Sequence, residues 1–407
     1  MQQRFWLSLA LVASLAATPA ALAKDQLGSF EKQFNQELTQ LLSRQTQLQQ
    51  KPLEASWKAL GQQRYQLILP DHIQRETYMN VFLQLGGERP LLQGQVLTAA
   101  ERDLLVAEVR QHFGEPKAEL QVFPFQSVQP AFAISKQAGS DLYVKPQAVA
   151  GDNLATQVRL GTPLQILAHS ADKKFARVRV HDDGYIAWIQ RSALQEVSQA
   201  AYEQWLTSRR VIVMNNLTQP ANLPFGTRLG LISEAGDRVS LRLPDGKSLQ
   251  LKRQDVLINS PGKLPDSAEL LKTARQYLPQ GPQGGGAYLW GGTFGKRLDC
   301  SGFVQTVFRV NGVYLPRDAD QQKRFSQPVA NTLQQITELQ PGDLVFFSSH
   351  GKWPTHVGLY LGQHQFIHAS AKGQYDGIKI NSLRGGGAYD QYLQKIYFGG
   401  GRVTRSL

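Results

Sequence analysis

One cysteine in 407 residues, Cys300, sets the terms on which this chain can fold. No disulfide can close within it and no cysteine-rich zinc module can be built, so each domain must be held by apolar burial. The composition permits that. Apolar residues make up 42% and charged residues 19%, which excludes a disordered or fibrous protein. At roughly 100–200 residues per domain, the length implies two to four domains.

The first residues point to a compartment. Met1 to Ala23 carries Arg4 in a short n-region, an apolar stretch from Phe5 to Ala17, and Ala21-Leu22-Ala23 as an A-x-A cleavage site. This is the pattern of a secretory signal peptide. A membrane anchor fits less well, because the apolar run is too short to span a bilayer and ends in small residues and Pro19. No cysteine stands there to carry a lipid, and no later stretch is apolar enough to span. The expected mature chain starts near Lys24 and is exported, periplasmic or secreted, without a lipid anchor. The net charge is +12, and only one basic residue lies in the leader. A basic surface prefers anionic partners, and outside the cytoplasm an acidic polymer is a better partner than nucleic acid.

Three pieces precede the chemistry. Residues 24–125 are expected to be mostly helical: Phe30, Phe34, Leu38, Leu41 and Leu42 recur at helical steps, and Thr98 to Glu101 has capping-box spacing before Leu104, Leu105, Val109 and Phe113, with Gly114 as the stop. Residues 126–260 change to short alternating runs. Leu164–Ala168, Phe175–Val180 and Tyr185–Ile189 read as strands, with Asp182-Asp183-Gly184 as a turn. Gly226-Thr227 and Asp245-Gly246 repeat the order of Gly161-Thr162 and Asp183-Gly184 at a period near 60 residues, which suggests two small β-barrels, 126–197 and 198–260, with a single larger β-domain as the alternative. They are similar to bacterial SH3-like domains, with Gly184 to Ile189 resembling the closing hairpin. A linker at 259–266 leads to a helix capped near Asp266. The glycines of 281–292 lack the Lys-Ser/Thr end of a phosphate loop and are read as the wall of a site.

The chemistry lies beyond. Cys300 precedes Phe303, Val304, Val307 and Phe308, a helical pattern that Asn311-Gly312 ends. A thiol at a helix N-terminus is expected to have a lowered pKa, because unpaired N–H groups and the positive dipole end stabilise the thiolate, the attacking species. Four of eight histidines, His350, His356, His364 and His368, follow among the expected strands Asp343–Phe347, His356–Leu361 and Gln365–Ala369. A helix with Cys first and a sheet with His after it matches the logic of a papain-type hydrolase. A metal site of Cys300, His356 and His368 is disfavoured, since no HExxH or CxxC spacing supports it.

Six segments in order carry a resemblance: Tyr288 to Gly292, Leu298 to Val304, Leu315-Pro316-Arg317, Pro341 to Phe347, His356 to Gly362 and Phe366 to Ser370. They resemble the successive motifs of NlpC-type papain-like cell-wall peptidases, over about 265–407. The layout as a whole is similar to a branch with an N-terminal clip domain, two SH3-like barrels and the peptidase, composed of γ-D-glutamyl-L-diamino acid endopeptidases acting on peptidoglycan stem peptides. The fold expected is therefore multidomain: signal peptide 1–23, mostly α-helical domain 24–125, two SH3-like β-barrels, and an α+β papain-like peptidase domain at 265–407.

The resemblance implies roles. Cys300 is the nucleophile, His356 the general base and then acid, and His368 the residue that orients His356. Tyr288 helps hold the oxyanion with the Cys300 N–H. Asp299 and Ser301 meet the free amine of the stem peptide's L-Ala, and Tyr185 or Trp188 of the first SH3-like domain walls that end of the cleft. Neither metal nor cofactor is implied. One step does not follow from the sequence: a two-residue turn at Gln363-His364 puts His368 opposite Leu359, about 10 Å along the strand from His356. Contact between the two histidines then requires a bulge, a strong twist or another turn. Two rival readings stand beside this one, a wall-binding adaptor with an inactive peptidase domain, and a thiol murein hydrolase that cuts a D,D-cross-link or a muramoyl amide.

Overall fold

The computed structural model describes residues 19–46, 54–149, 151–258, 264–373 and 376–407. The leader expected at 1–23 lies outside the described residues up to Thr18, and Pro19 opens the first helix. No described helix is long and apolar enough to cross a membrane.

The first unit contains α1 (Pro19–Thr46), β1 (Ser56–Gly61), β2 (Arg64–Ile68), α2 (Asp71–Gln74), β3 (Met79–Gln84), β4 (Leu91–Val96), α3 (Ala99–Phe113) and β5 (Lys117–Val122). The five strands form one sheet in the order β1-β2-β3-β4-β5. The expectation of a mostly helical region is corrected: it is a sheet carrying two long helices. The helices are where their spacing puts them. Phe30, Phe34, Leu38 and Leu42 of α1 and Leu105 and Val109 of α3 share one core with Trp57, Val81, Leu83 and Leu92 of the sheet, and Thr98 and Glu101 form the capping box. The strands escape notice because each is only five or six residues long, and β2, β3 and β4 carry Gln66, Gln84, Gln93 and Gln95 at less buried positions, the same residue type that coats the helices.

The second unit contains β6 (Phe132–Ser135), β7 (Gly139–Tyr143), β8 (Leu154–Arg159), β9 (Pro163–His169), β10 (Phe175–Val180), β11 (Ile186–Gln190) and β12 (Leu194–Val197), in the order β12-β6-β9-β10-β11-β7-β8. The third contains α4 (Gln199–Thr207), β13 (Arg210–Val213), β14 (Arg228–Ala235), β15 (Arg238–Arg242), β16 (Ser248–Lys252) and β17 (Val256–Ile258), in the order β16-β15-β14-β13-β17. The expected hairpins are present, β9–β10–β11 and β15–β16 among them. Closed barrels are not: among the described residues both sheets are open. The outer edge of β8 is hidden another way. Thr293 donates its N–H to Gln157 Oε1 at 3.0 Å and its hydroxyl to the Gln157 carbonyl at 3.0 Å. An edge strand covered by a neighbouring unit needs no barrel closure to satisfy its polar groups.

The last unit contains α5 (Ser267–Arg275), α6 (Cys300–Val310), α7 (Ala319–Phe325), β18 (Gln327–Val329), β19 (Leu344–Phe347), β20 (His356–Gly362), β21 (Gln365–Ser370), β22 (Gly377–Ser382), α8 (Ala388–Lys395) and β23 (Tyr397–Arg402). Its antiparallel sheet runs β18-β23-β19-β20-β21-β22. Phe303, Val304 and Val307 of α6 pack on Val357, Leu359, Ile367 and Ala369 of β20 and β21. The polar face of α6 is buried as well. Gln305 donates to Asp183 Oδ2 at 2.9 Å, and Arg309 pairs with Asp182 at 2.7 Å. The turn Asp182-Asp183-Gly184 of the second unit thus docks on the helix that carries the cysteine.

Candidate active site

Cys300 is the first residue of α6, and its position follows from Asp299. The Asp299 carboxylate caps the helix, accepting from the Gly302 N–H at 2.6 Å. Gly302 has no substitute here, because a Cβ would stand 2.1 Å from the Gly292 carbonyl oxygen. The helix start is thereby pressed against the glycine-rich segment, which brings Tyr288 to the thiol: the Tyr288 hydroxyl hydrogen-bonds the Cys300 sulfur. Burial, then the nearby sulfur and Asp299, push the Tyr288 phenol up, so it stays a proton donor. The N–H groups of Val357 and Ser301 also point at the sulfur.

The thiol does not have the lowered pKa expected from its helix position. Cys300 is 6% exposed, and its pKa is pushed up to about 12, by burial first and by the charge of Asp299 second. The two N–H groups and Arg317 pull the other way and lose. A dipole end stabilises a thiolate by about 1–2 kcal/mol, which is less than the desolvation of a buried charge.

His356 and His368 meet directly. His356 Nε2 lies 2.7 Å from His368 Nδ1, with the rings at 81° and their centroids 4.9 Å apart. The turn Gln363-His364 is the expected two-residue one, with both residues at positive φ. The register then shifts between Tyr360 and Gly362, so that Leu359 pairs with Ile367. The extra residue, Leu361, moves His368 from opposite Leu359 to beside Gly358, on the same face as His356. Phe347 flanks His356 across the ladder, with ring centroids 5.8 Å apart. Beyond His368 the chain of contacts continues: His368 Nε2 lies 2.8 Å from Asn381 Oδ1, and Asn381 Nδ2 donates to Asp390 at 2.6 Å. Burial, then the neighbouring charges His368, Lys372 and Lys379, hold His356 well below the usual histidine range. Burial takes His368 down to about 4. All three shifts favour a neutral thiol beside a neutral imidazole pair in the resting site.

Asp299 and Ser301 are engaged inside the protein. Arg317 grips Asp299 with two nitrogens, at 3.1 and 2.5 Å, and donates to the Ser301 hydroxyl at 2.9 Å. Gly291 donates its N–H to Asp299 Oδ2 at 2.9 Å, the oxygen that Arg317 Nη2 also holds. Arg317 itself is 1% exposed and reaches the second unit, where it donates to Thr156 Oγ1 of β8 at 2.9 Å. Tyr185 is buried in the core of the second unit, and burial first, then the charge of Asp318, push its phenol up while Arg75 and Arg317 pull it down. Trp188 stands in the ladder between Arg177 and Tyr143. β8 of the second unit lies against the site as well: a Cβ on Gly291 would meet Leu154 at 2.7 Å. Sequence reasoning missed Arg317, Thr156, Gln157, Asn381 and Asp390. Only Arg317 had a signal, its place in the Leu315-Pro316-Arg317 segment. Among the described residues no cluster of His, Cys, Asp or Glu has the arrangement of a metal site.

Comparison with known proteins adds to this geometry. The pattern of the NlpC/P60 family matches residues 285–397, and that of the bacterial dipeptidyl-peptidase Sh3 domain matches 142–194. The chain is 30% identical over 240 residues to a Bacillus cereus protein named gamma-D-glutamyl-L-lysine dipeptidyl-peptidase, covering 54% of this chain and 68% of that one. It is 24% identical over 240 residues to a Bacillus subtilis protein of the same name, covering 58% and 75%. A crystal structure of an NlpC/P60 family protein from Bacillus cereus shares the fold at a TM-score of 0.56 and 23% identity, over 67% of this chain and 99% of that one.

Proposed function

The chain belongs to the NlpC/P60 family of cysteine peptidases, and from that premise we propose that it hydrolyses the γ-D-glutamyl-diamino acid bond of peptidoglycan stem peptides. The observation that carries the reading is the His356–His368 pair, 2.7 Å apart, at the strand start whose next N–H, that of Val357, points at the Cys300 sulfur. In this reading the Cys300 thiol gives its proton to His356 as the sulfur attacks the γ-carbonyl of D-Glu. The tetrahedral oxyanion is met by the Cys300 N–H and the Tyr288 hydroxyl. His356 returns the proton to the leaving amine, and water releases the acyl-enzyme. His368 orients His356. Arg317, Asp299 and Ser301 form a buried polar end to the cleft, and β8 closes it from the second unit.

The domain division we propose is 24–125, two SH3-like units at 126–197 and 198–260, and the peptidase at 265–407. The names of the two relatives place their bond between γ-D-glutamate and lysine, and the basic composition suits a substrate rich in carboxylates. The leader pattern and this substrate support action in the periplasm or outside the cell.

Mass spectrometry of products from defined muropeptides tests the reading. Cleavage after D-Glu, abolished in Cys300→Ala, is the expected result. Cleavage only when the L-Ala amine is free supports recognition of that amine at the Asp299 end. Cleavage at a D,D-cross-link or muramoyl amide overturns the bond, and no cleavage of any muropeptide leaves the adaptor reading.

A further inference from the structure

Behind the two histidines stands a pair of side chains with a fixed polarity. Asp390, on α8, accepts on one oxygen from both Asn381 Nδ2 at 2.6 Å and the Ser382 N–H at 3.0 Å. A carboxylate can only accept and a backbone N–H can only donate, so the Asn381 amide has one allowed orientation: NH2 toward Asp390, carbonyl toward His368. Asn381 Oδ1, 2.8 Å from His368 Nε2, can only accept. His368 is therefore protonated on Nε2 and bare on Nδ1. Its bare Nδ1 lies 2.7 Å from His356 Nε2, which must then carry the proton of that bond. His356 is left with Nδ1 unprotonated.

We propose that Asn381 and Asp390 are positioning residues that set the proton direction of the histidine pair, so that the free nitrogen of His356 is a base and not a donor. The proposal deepens the thiol-peptidase reading and rests on it. If the amide turned over, its NH2 would face His368, the proton of His368 would move to Nδ1, and His356 would present N–H to the thiol. A base in the wrong tautomer takes no proton, which is a large catalytic loss in enzymes of this logic.

Long-range nitrogen–proton NMR on the full chain with 15N-labelled histidine tests this, with His356 and His368 assigned through His356→Gln and His368→Gln. The expected spectrum has both rings protonated on Nε2. In Asn381→Leu, His356 should populate both tautomers and kcat should fall at least about ten-fold, with KM within about two-fold. Asn381→Asp keeps an acceptor toward His368 but sets a second carboxylate against Asp390; combined with Asp390→Asn, which removes that repulsion, it should recover part of kcat. A wild-type His356 carrying its proton on Nδ1 overturns the proposal, as does Asn381→Leu with unchanged tautomer and kcat. If Asn381→Leu fails to fold, the wild-type spectrum still decides. Thiol-dependent cleavage at a bond other than γ-D-glutamyl overturns the substrate reading alone and leaves the nitrogen spectrum to judge the proposal, whereas no cleavage of any muropeptide overturns the peptidase reading and the catalytic part of the proposal with it.

Discussion

His356 and His368 bond across a glycine. Their nitrogens are 2.7 Å apart, although in the ladder they are diagonal neighbours rather than partners, and Gly358 lies between them. Diagonal positions on one face are about 7–8 Å apart at the backbone, within reach of two rings only when nothing fills the gap. A Cβ on Gly358 would stand 3.2 Å from His368 Cβ and 2.7 Å from Phe366 Cδ2. The absence of one side chain is what lets the histidine pair form.

Gly358→Ala should therefore damage the site. Overpacking costs about 1–3 kcal/mol, because Phe366 is fully buried and has nowhere to retreat. Moving His368 by a fraction of an ångström also lengthens the bond to His356, and a misplacement near 1 Å costs up to about 100-fold in rate. The expected result is a folded protein with a lowered Tm and a kcat loss larger than its stability loss explains. Wild-type kcat in Gly358→Ala would show that the pair tolerates displacement.

The charge state of the thiol is open to direct measurement. Cys300, held up to about 12 by burial and then by Asp299, is protonated at neutral pH. Alkylation by iodoacetamide follows the thiolate, so its rate should climb about ten-fold per pH unit from pH 7 to 9. A preformed thiolate–imidazolium pair would instead give a rate flat down to mild acid. The acid limb of kcat/KM reports protonation of the base. Burial holds His356 and His368 low, so that limb should fall below the ordinary histidine value of 6.5.

The helix at Cys300 is legible in sequence because its signals are local: the Asp299 cap, apolar residues at three- and four-residue steps, and a stop at Asn311-Gly312. The strands that carry the histidines are legible for the same reason. The rest is not local. Leu361 is an ordinary apolar strand residue in sequence, yet as the extra residue of a bulge it decides which face His368 occupies. Gln305 and Arg309 carry no local signal of their partners, because their acceptors, Asp183 and Asp182, are more than a hundred positions away. Asn381 and Asp390 gain meaning only when β22 and α8 are folded beside β21. The thiol pKa was misjudged because helix position is visible in sequence and depth is not.

Arg317→Met should be costly for stability. It leaves Asp299 buried with its charge uncompensated, and removing one partner of a buried ion pair costs about 3–5 kcal/mol. Denaturant unfolding should show that loss. Arg317→Met combined with Asp299→Asn removes both charges and should recover a large part of it. Equal destabilisation of the single and double variants would mean that Arg317 acts mainly through Ser301 and Thr156.

The docking of the second unit on α6 should be visible as pH-dependent stability. Burial alone would push the Asp182 carboxyl up, but the guanidinium groups of Arg309, Arg228 and Arg210 outweigh it and hold the pKa below the ordinary 3.8. A carboxyl depressed on folding contributes stability that is present above its unfolded pKa and is lost as pH falls through its folded one. The wild-type contribution should thus survive to below about pH 4. In Arg309→Met the strongest opposing charge is gone, leaving Arg228 and Arg210 against burial, and the folded pKa is expected to rise above the unfolded value. The sign then reverses: the buried carboxylate opposes folding at neutral pH, and acidification through the raised pKa relieves the penalty. Urea unfolding of both proteins from pH 7 to 4 reads the difference, with the gap between them narrowing as pH drops. A gap that is constant over that range would mean that Arg309 contributes through Tyr314, over whose ring its guanidinium lies at 4.9 Å, rather than through its pairing with Asp182.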